Sequence, residues 1–358
     1  MGPVMKCHRY SLARPLAYLL IGFHIALAVG PAWGQASFYQ GKTIKFLVGT
    51  SPGDLYDQWA RTVVPALAKH LPGAPDALVQ NMPGAGHRVA ANYLFNIAKP
   101  DGLTLAATIL PSLYFDQLVG RKEVQFDWSR FSWIGSPVQE EHVFFVRTDT
   151  PYKSLEDIKR AAEPPKCGAT GLGSTGYYLP RLIEETLGLK FNIVTGYPGG
   201  SELNLAIERG ELQCRAFTIT AYVADREPFN SWRKNGTIRG LIQTSPQRDP
   251  RLAEVPTIYE LMDKEKTPAP LRRVADVILA PGAFGRPMLG PPGLPVDRLK
   301  QLRDAYAKAL KEPAVTAYAK TLDWHLETKR GEELQGHAKK VIDQPAEVVA
   351  RMKKILGD

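Results

Sequence analysis

Two glycine-rich turns hold the residues best suited to gripping a charged small molecule. Pro83-Gly84-Ala85-Gly86 follows a β-prone stretch and leads into helical spacing, and Gly171-Leu172-Gly173-Ser174-Thr175-Gly176 does the same later in the chain. A helix start offers backbone N–H groups without partners at the positive end of its dipole. Glycine lets an anion come close to them. Ser174 and Thr175 add hydroxyl donors. The chemistry on offer is the binding of a phosphate or a carboxylate.

Nucleotides fit the spacing poorly. The second turn is a literal G-x-G-x-x-G, but a dinucleotide site needs an acidic residue closing the next strand to hold the ribose. That strand ends Ile193-Val194-Thr195-Gly196. In the first turn Val89 stands where the third glycine belongs. Gly41-Lys42-Thr43 looks like the end of a P-loop, yet Ala36 replaces its first glycine and the triplet precedes its strand instead of following it. No cofactor is expected.

Metal and nucleophile signals are thin. His70, His87, His142, His325 and His337 show no H-E-x-x-H or i, i+4 pairing. Glu140-Glu141-His142 reads as a solvated link. Ser174 sits in L-G-S-T-G, where Leu172 replaces the first glycine of a nucleophile elbow and no histidine is placed to activate it. Asp54 and Asp57 open a helix, where cap and dipole service is their ordinary work. Arg88 either adds charge to the first turn or points to solvent.

The elements that must position these residues repeat. "KTIKFLVGTSPG" (42–53) reads as a strand ending in a Pro-Gly turn, and the helix after it (56–71) aligns Trp59, Val63 and Leu67, with Pro65 as a possible kink. "DALVQNMPGAG" is again strand into turn. Its helix (87–98) aligns Val89, Tyr93 and Ile97, and "LTLAATIL" (103–110) is a third strand. The pattern returns at 166–188 and 190–210, with "ELQCRAFTIT" (211–220) as a further strand. Strand–helix repetition of this kind predicts α/β lobes with doubly wound, mainly parallel sheets flanked by helices. Two β-prone, broken stretches, 131–151 and 274–295, read as crossings between two lobes. The helix at 296–313 places Leu299, Leu302, Tyr306, Ala309 and Leu310 on one face, and helical sequence runs on from Gly331 to Leu356. This tail is expected to return to the first lobe.

The first 34 residues read as an export signal. Lys6, Arg9 and Arg14 precede an apolar run (16–29), and Ala32-Trp33-Gly34 suits cleavage before Gln35. The run is shorter than the roughly 20 residues a membrane span needs. Cys7 precedes the run and so is no lipoprotein cysteine. Cleavage removes three basic residues and no acidic one, so the net charge of +9 becomes +6. The basic residues are scattered, which argues against nucleic acid, and a mild positive charge suits an anionic solute. Cys167 and Cys214 remain in the exported chain, where they can oxidise.

In order, "GKTIKFLVGTSPGDLYDQWAR", "NMPGAGHRVAANYLF", "GATGLGSTGYYLPRLIEETLG", "GYPGGSELNLAIERGELQCRAF", "RDPRLAEVPTIYEL" and "GPPGLPVDRLKQLRDAYAKALKEPAV" span nearly the whole exported chain. Together they resemble the periplasmic substrate-binding receptors of tripartite tricarboxylate transporters, the TctC or Bug receptors. The resemblance implies a two-lobed periplasmic-binding-protein fold of the type II, Venus-flytrap kind. Residues 35–138 and 277–358 would form the first lobe and 139–276 the second. A small solute bearing a carboxylate would sit between them and pass to membrane permease subunits. A monomer without catalytic chemistry is implied. A ligand-sensing protein of the same fold, or less readily an exported hydrolase using Ser174, are the alternatives.

The resemblance also implies the contacts. From the loop after the first strand come Thr50, Ser51, Pro52, Gly53, Asp54, Tyr56 and Asp57. From the P-G-A-G turn come Gly84, Ala85 and Gly86, and from the third loop Pro111 and Ser112. The second lobe would supply Thr170, Gly171, Gly173, Ser174 and Thr175, then Tyr197, Gly199, Gly200 and Ser201, and finally Thr218 and Thr220. The family usually carries further small residues after its first Pro-Gly, where this chain has Asp54 and Leu55. A negative charge there repels an anion by roughly 1 kcal/mol or more if desolvated. In the sheet order of such receptors the strands of Cys167 and Cys214 are neighbours, so a disulfide between them is possible.

Overall fold

The structure is a computed structural model that describes residues 1–5 and 37–357, apart from residues 198, 323, 325 and 327. The export signal with Lys6, Cys7, Arg9, Arg14 and the cut before Gln35 lies outside the described residues, as does His325. Among the described residues, both sheets and all the helices belong to the compact unit that starts at Tyr39.

The strands run in chain order as β1 (Thr43–Val48), β2 (Asp76–Asn81), β3 (Thr104–Thr108), β4 (Ser132–Ser136), β5 (His142–Arg147), β6 (Lys166–Gly168), β7 (Asn192–Val194), β8 (Cys214–Thr218), β9 (Ile238–Gln243), β10 (Met288–Gly290) and β11 (Lys329–Arg330). They form two sheets, ordered β11-β4-β10-β3-β1-β2 and β7-β6-β8-β5-β9. Around β1 and around β6 the pairing is parallel, as strand–helix repetition requires. Where the chain crosses between lobes, β4, β5 and β10 pair antiparallel. Both sheets are therefore mixed. One crossing is the short run between β4 and β5; the other precedes β10.

Among the described residues the first helix, Leu55–His70, buries Trp59, Val63 and Leu67 as its spacing predicts, and Pro65 lies inside it without ending it. The second, Arg88–Asn96, buries a different stripe from the one its large residues suggest. Ala90, Ala91 and Leu94 face the sheet, while Val89 is 44% and Ile97 65% exposed. Small residues let this helix backbone lie close to β3, which outweighs the apolar gain of the larger side chains.

The stretch 274–295 is mostly not β. Ala269–Leu279 is a helix with Val274, Ala275, Val277 and Ile278 buried, and a short helix Pro281–Phe284 follows before β10. A short β-branched apolar run reads equally as strand or buried helix, and Arg272, Arg273 and Asp276 on the other face decide for helix. Phe284 then locks this crossing into the first lobe. Its ring lies 5.1 Å from that of Trp133 and 5.7 Å from that of Trp128, all three buried. Each such aromatic contributes about 1.5–3 kcal/mol on burial.

The tail divides. Val296–Ala309 packs on Leu55–His70 and β4, and Gly331–Ile342 also packs on β4. The last helix, Ala346–Leu356, packs instead against Thr175–Leu187 and Ala269–Leu279. Cys167 on β6 stands directly opposite Cys214 on β8, with Cα atoms 4.6 Å apart, and the two are bonded as a disulfide.

Candidate functional site

Between the two sheets lies a cleft of about 620 Å³. The second-lobe turn reaches it fully formed. Ser174 Oγ donates to Gly171 O at 2.7 Å, which fixes the turn ahead of helix Thr175–Leu187. Gly176 is required by packing: a Cβ there would sit 2.5 Å from Gly168 O, so the third glycine seats the helix on β6. Among the described residues, the N–H groups of Thr175 and Gly176 at this helix start donate to no protein acceptor. Across the cleft Ser112 Oγ donates to Gly173 O at 2.9 Å, joining the first-lobe loop to the second-lobe turn.

The expected contact residues divide into two sets. Asp54, Tyr56, Pro111, Ser112, Thr170, Gly173, Ser174 and Thr175 line the cleft, and so do Gly200, Ser201, Thr218 and Thr220. Thr50, Ser51, Pro52, Gly53, Asp57, Gly84, Ala85 and Gly86 do not, nor do Gly171, Tyr197 and Gly199.

Several first-lobe residues outside the cleft have other work. The Asp57 carboxylate is buried and takes bonds from Gly53 N at 2.8 Å, Arg61 Nε at 2.9 Å and Asn81 Nδ2 at 2.9 Å. Burial works against its charge, but these donors outweigh it and hold its pKa below the usual range. It clasps the Pro52-Gly53 loop. Asp54 is the residue that caps the helix, accepting from Tyr56 N at 2.9 Å. In the P-G-A-G turn Ala85, Gly86 and His87 all adopt left-handed φ, at 45°, 59° and 72°. That path turns the His87 ring inward. A Cβ on Gly49 would lie 2.4 Å from His87 Nδ1, and the ring meets Tyr56 edge-on at 4.9 Å. His87 thus backs the cleft wall from behind Tyr56 while the turn stays outside. Arg88 bonds Asp116 at 2.9 Å, so its charge is matched within the first lobe.

Glu140-Glu141-His142 is not a solvated link. His142 is buried, and burial pushes its pKa down to about 4, as it does for His87. Burial pushes Glu141 up to about 7, partly offset by the bond from Thr244 Oγ1 at 2.8 Å. Among the described residues no cluster of histidine, cysteine and acidic groups could hold a metal ion.

Two cleft residues escape sequence reading and dominate the electrostatics. Arg286, 5% exposed, donates from Nη2 to Glu140 Oε1 at 2.7 Å, and its guanidinium lies 4.2 Å from the Tyr56 ring and 4.8 Å from that of Trp324. Arg215, 2% exposed, has only neutral partners: Gly200 O and the Asn204 side chain. Among the described residues no carboxylate pairs with it. Burial pushes its pKa down to about 10, so it remains charged at neutral pH. The signal for Arg215 was a lone cation inside the strand Cys-Arg-Ala-Phe-Thr; for Arg286 it was an arginine within an apolar, Gly/Pro-broken run.

The model of the family described as tripartite tricarboxylate transporter family receptor matches residues 59–356. A UPF0065 protein of Cupriavidus necator, encoded in the gbd 5′ region, is 26% identical over 294 residues, covering 81% of both chains. A TctC solute-binding protein from Polaromonas, solved without ligand, has a TM-score of 0.63 at 21% identity, covering 88% of this chain and 98% of its own. MatC from Rhodopseudomonas palustris, solved with bound malate, has a TM-score of 0.60 at 18% identity, covering 88% and 99%.

Proposed function

The chain belongs to the tripartite tricarboxylate transporter family receptors, and on that premise we propose that it captures a small carboxylate in its cleft and delivers it to the membrane subunits of a tripartite transporter. Members of this family are periplasmic solute-binding receptors, not enzymes, so Ser174 has no catalytic part; its hydroxyl is committed to Gly171 O. The leader is removed before Gln35, and one chain supplies both cleft walls.

The observation that carries the reading is Arg215: a buried guanidinium on the cleft wall without an acidic partner among the described residues. Burying a cation costs several kcal/mol unless a counter-charge is present. A carboxylate ligand supplies that charge where water has been removed and the pairing is strong. The open N–H groups of Thr175 and Gly176 add donors that need no side chain to be ordered. Malate in the MatC structure is consistent with the solute class. Closure then joins first-lobe Ser112 to second-lobe Gly173 over the ligand.

Thermal shift against a panel of organic acids, sugars and amines tests this. A carboxylate at about 100 times its Kd stabilises by about 2.7 kcal/mol, which reads as a rise of several degrees. Stabilisation by a sugar or an amine and by no carboxylate overturns the reading.

A further inference from the structure

We propose that the second-lobe wall of the cleft is a subsite for a monocarboxylate with a flat apolar body, its carboxylate on Arg215 and its body against Phe217 and Phe229. This rests on the receptor reading above and narrows its ligand class.

The subsite is a stack. The Arg215 guanidinium lies 4.1 Å from the centre of the Phe217 ring. Phe217 in turn stacks on Phe229, with centroids 5.6 Å apart and 11° between planes. A guanidinium seated on a ring face is held in place and can still offer an open N–H to a carboxylate oxygen. Nη1 is engaged by Asn204 and Gly200 and Nε is buried away from the cleft, so among the described residues Nη2 is the nitrogen left to meet a carboxylate oxygen. Beside the stack the wall continues with Leu203, Ala221 and Ala224. These residues bond to no polar ligand atom, but a ring lies well against them. Arg226 and Glu227 belong to the exposed rim.

The far end of the cleft argues for one carboxylate and not two. There Arg286 is already neutralised by Glu140. Asp54 also lines the cleft, with only one of its oxygens committed to capping. A second ligand carboxylate would face that negative charge, a repulsion of about 1 kcal/mol in a wet cleft and more in a dry one. A neutral or hydrogen-bond-donating end meets no such penalty.

The test is calorimetric titration of the protein purified from the periplasm with benzoate, phenylacetate, hexanoate and malate. At least one aryl monocarboxylate should bind about tenfold or more tighter than malate. Arg215→Gln should weaken it about 30-fold or more, and Phe217→Leu should shrink the aryl preference over hexanoate by several-fold. On unmodified protein, the bound aryl protons should show ring-current shifts in NMR, which keeps the test independent of how the variants fold. Malate binding tighter than both aryl acids overturns the inference, as does a change within about twofold for Arg215→Gln. In the first case the receptor reading stands untouched; in the second the anion is anchored elsewhere and the receptor reading rests on the family alone. If none of the four acids binds and a broader carboxylate panel also fails, the receptor reading falls with it.

Discussion

Arg286 and Arg215 line the same cleft and are almost equally shut off from solvent, yet their surroundings differ in kind. Arg286 has Glu140 at 2.7 Å and aromatic rings on its faces, and its backbone N–H donates to Ser136 Oγ at 3.0 Å. It ties the returning crossing to the outgoing one. Arg215 has two neutral acceptors and a ring. A buried cation with its counter-charge in place belongs to the scaffold; one without it is set up for a charge that arrives from outside.

The largest expected effect breaks the scaffold side of that contrast. Arg286→Ala leaves Glu140 without its partner and should lower stability by about 3–5 kcal/mol in urea unfolding. Arg215→Met removes an unpaired buried charge, so its stability should stay within about 1 kcal/mol of the parent or rise. Equal losses for the two variants would erase the distinction.

Next in size is the disulfide beside Arg215. Cys167 and Cys214 close a loop of 47 residues, and replacing both with serine should cost about 2–4 kcal/mol. Because Cys214 adjoins Arg215 on β8, ligand affinity should fall as well. Binding unchanged in the double variant would show that β8 needs no such brace.

The pH dependence separates the groups around Arg286. His87 and His142 titrate at about 4 in the folded state, below their ordinary 6.5, because burial disfavours the cation. The unfolded chain therefore binds more protons between these values, and their contribution is full above about 6.5 and lost as pH falls toward 4. Glu141 has the opposite sign. Its folded pKa of about 7 lies above the ordinary 4.5, so its contribution is full at acid pH and lost as pH rises through 7. Glu141→Gln should raise the melting temperature by a few degrees above pH 7 and by nearly nothing below pH 4.5. A gain independent of pH would mean the carboxyl is not buried in solution.

The smallest effect concerns closure. Ser112→Ala removes the bond to Gly173 and should weaken ligand binding by about 0.5–1.5 kcal/mol, mainly through faster release.

Much of the frame was legible in the sequence, because strand–helix alternation and glycine turns are local properties. The neighbourhood of Cys167 and Cys214 followed from the family's sheet order. Of the expected contacts, those on the second-lobe turn, such as Ser174 and Thr175, do line the cleft. The Pro83–Gly86 turn lies outside the cleft because three successive left-handed residues redirect it, and no local pattern reports that His87 fills the space behind Tyr56. Arg215 and Arg286 escape for a related reason. An arginine's meaning depends on whether a carboxylate faces it, and Glu140 lies 146 residues from Arg286. The helix at 269–279 reads as β in the sequence because a β-branched apolar run carries the same signal in either state.

The most direct measurement is a crystal structure with a bound monocarboxylate. With Arg215 as the anion anchor, a carboxylate oxygen of the ligand should lie about 2.7–2.9 Å from its Nη2, and the Arg286–Glu140 pair should stay intact. A carboxylate held by Arg286 in place of Glu140, with Arg215 touching only the protein, would contradict that assignment.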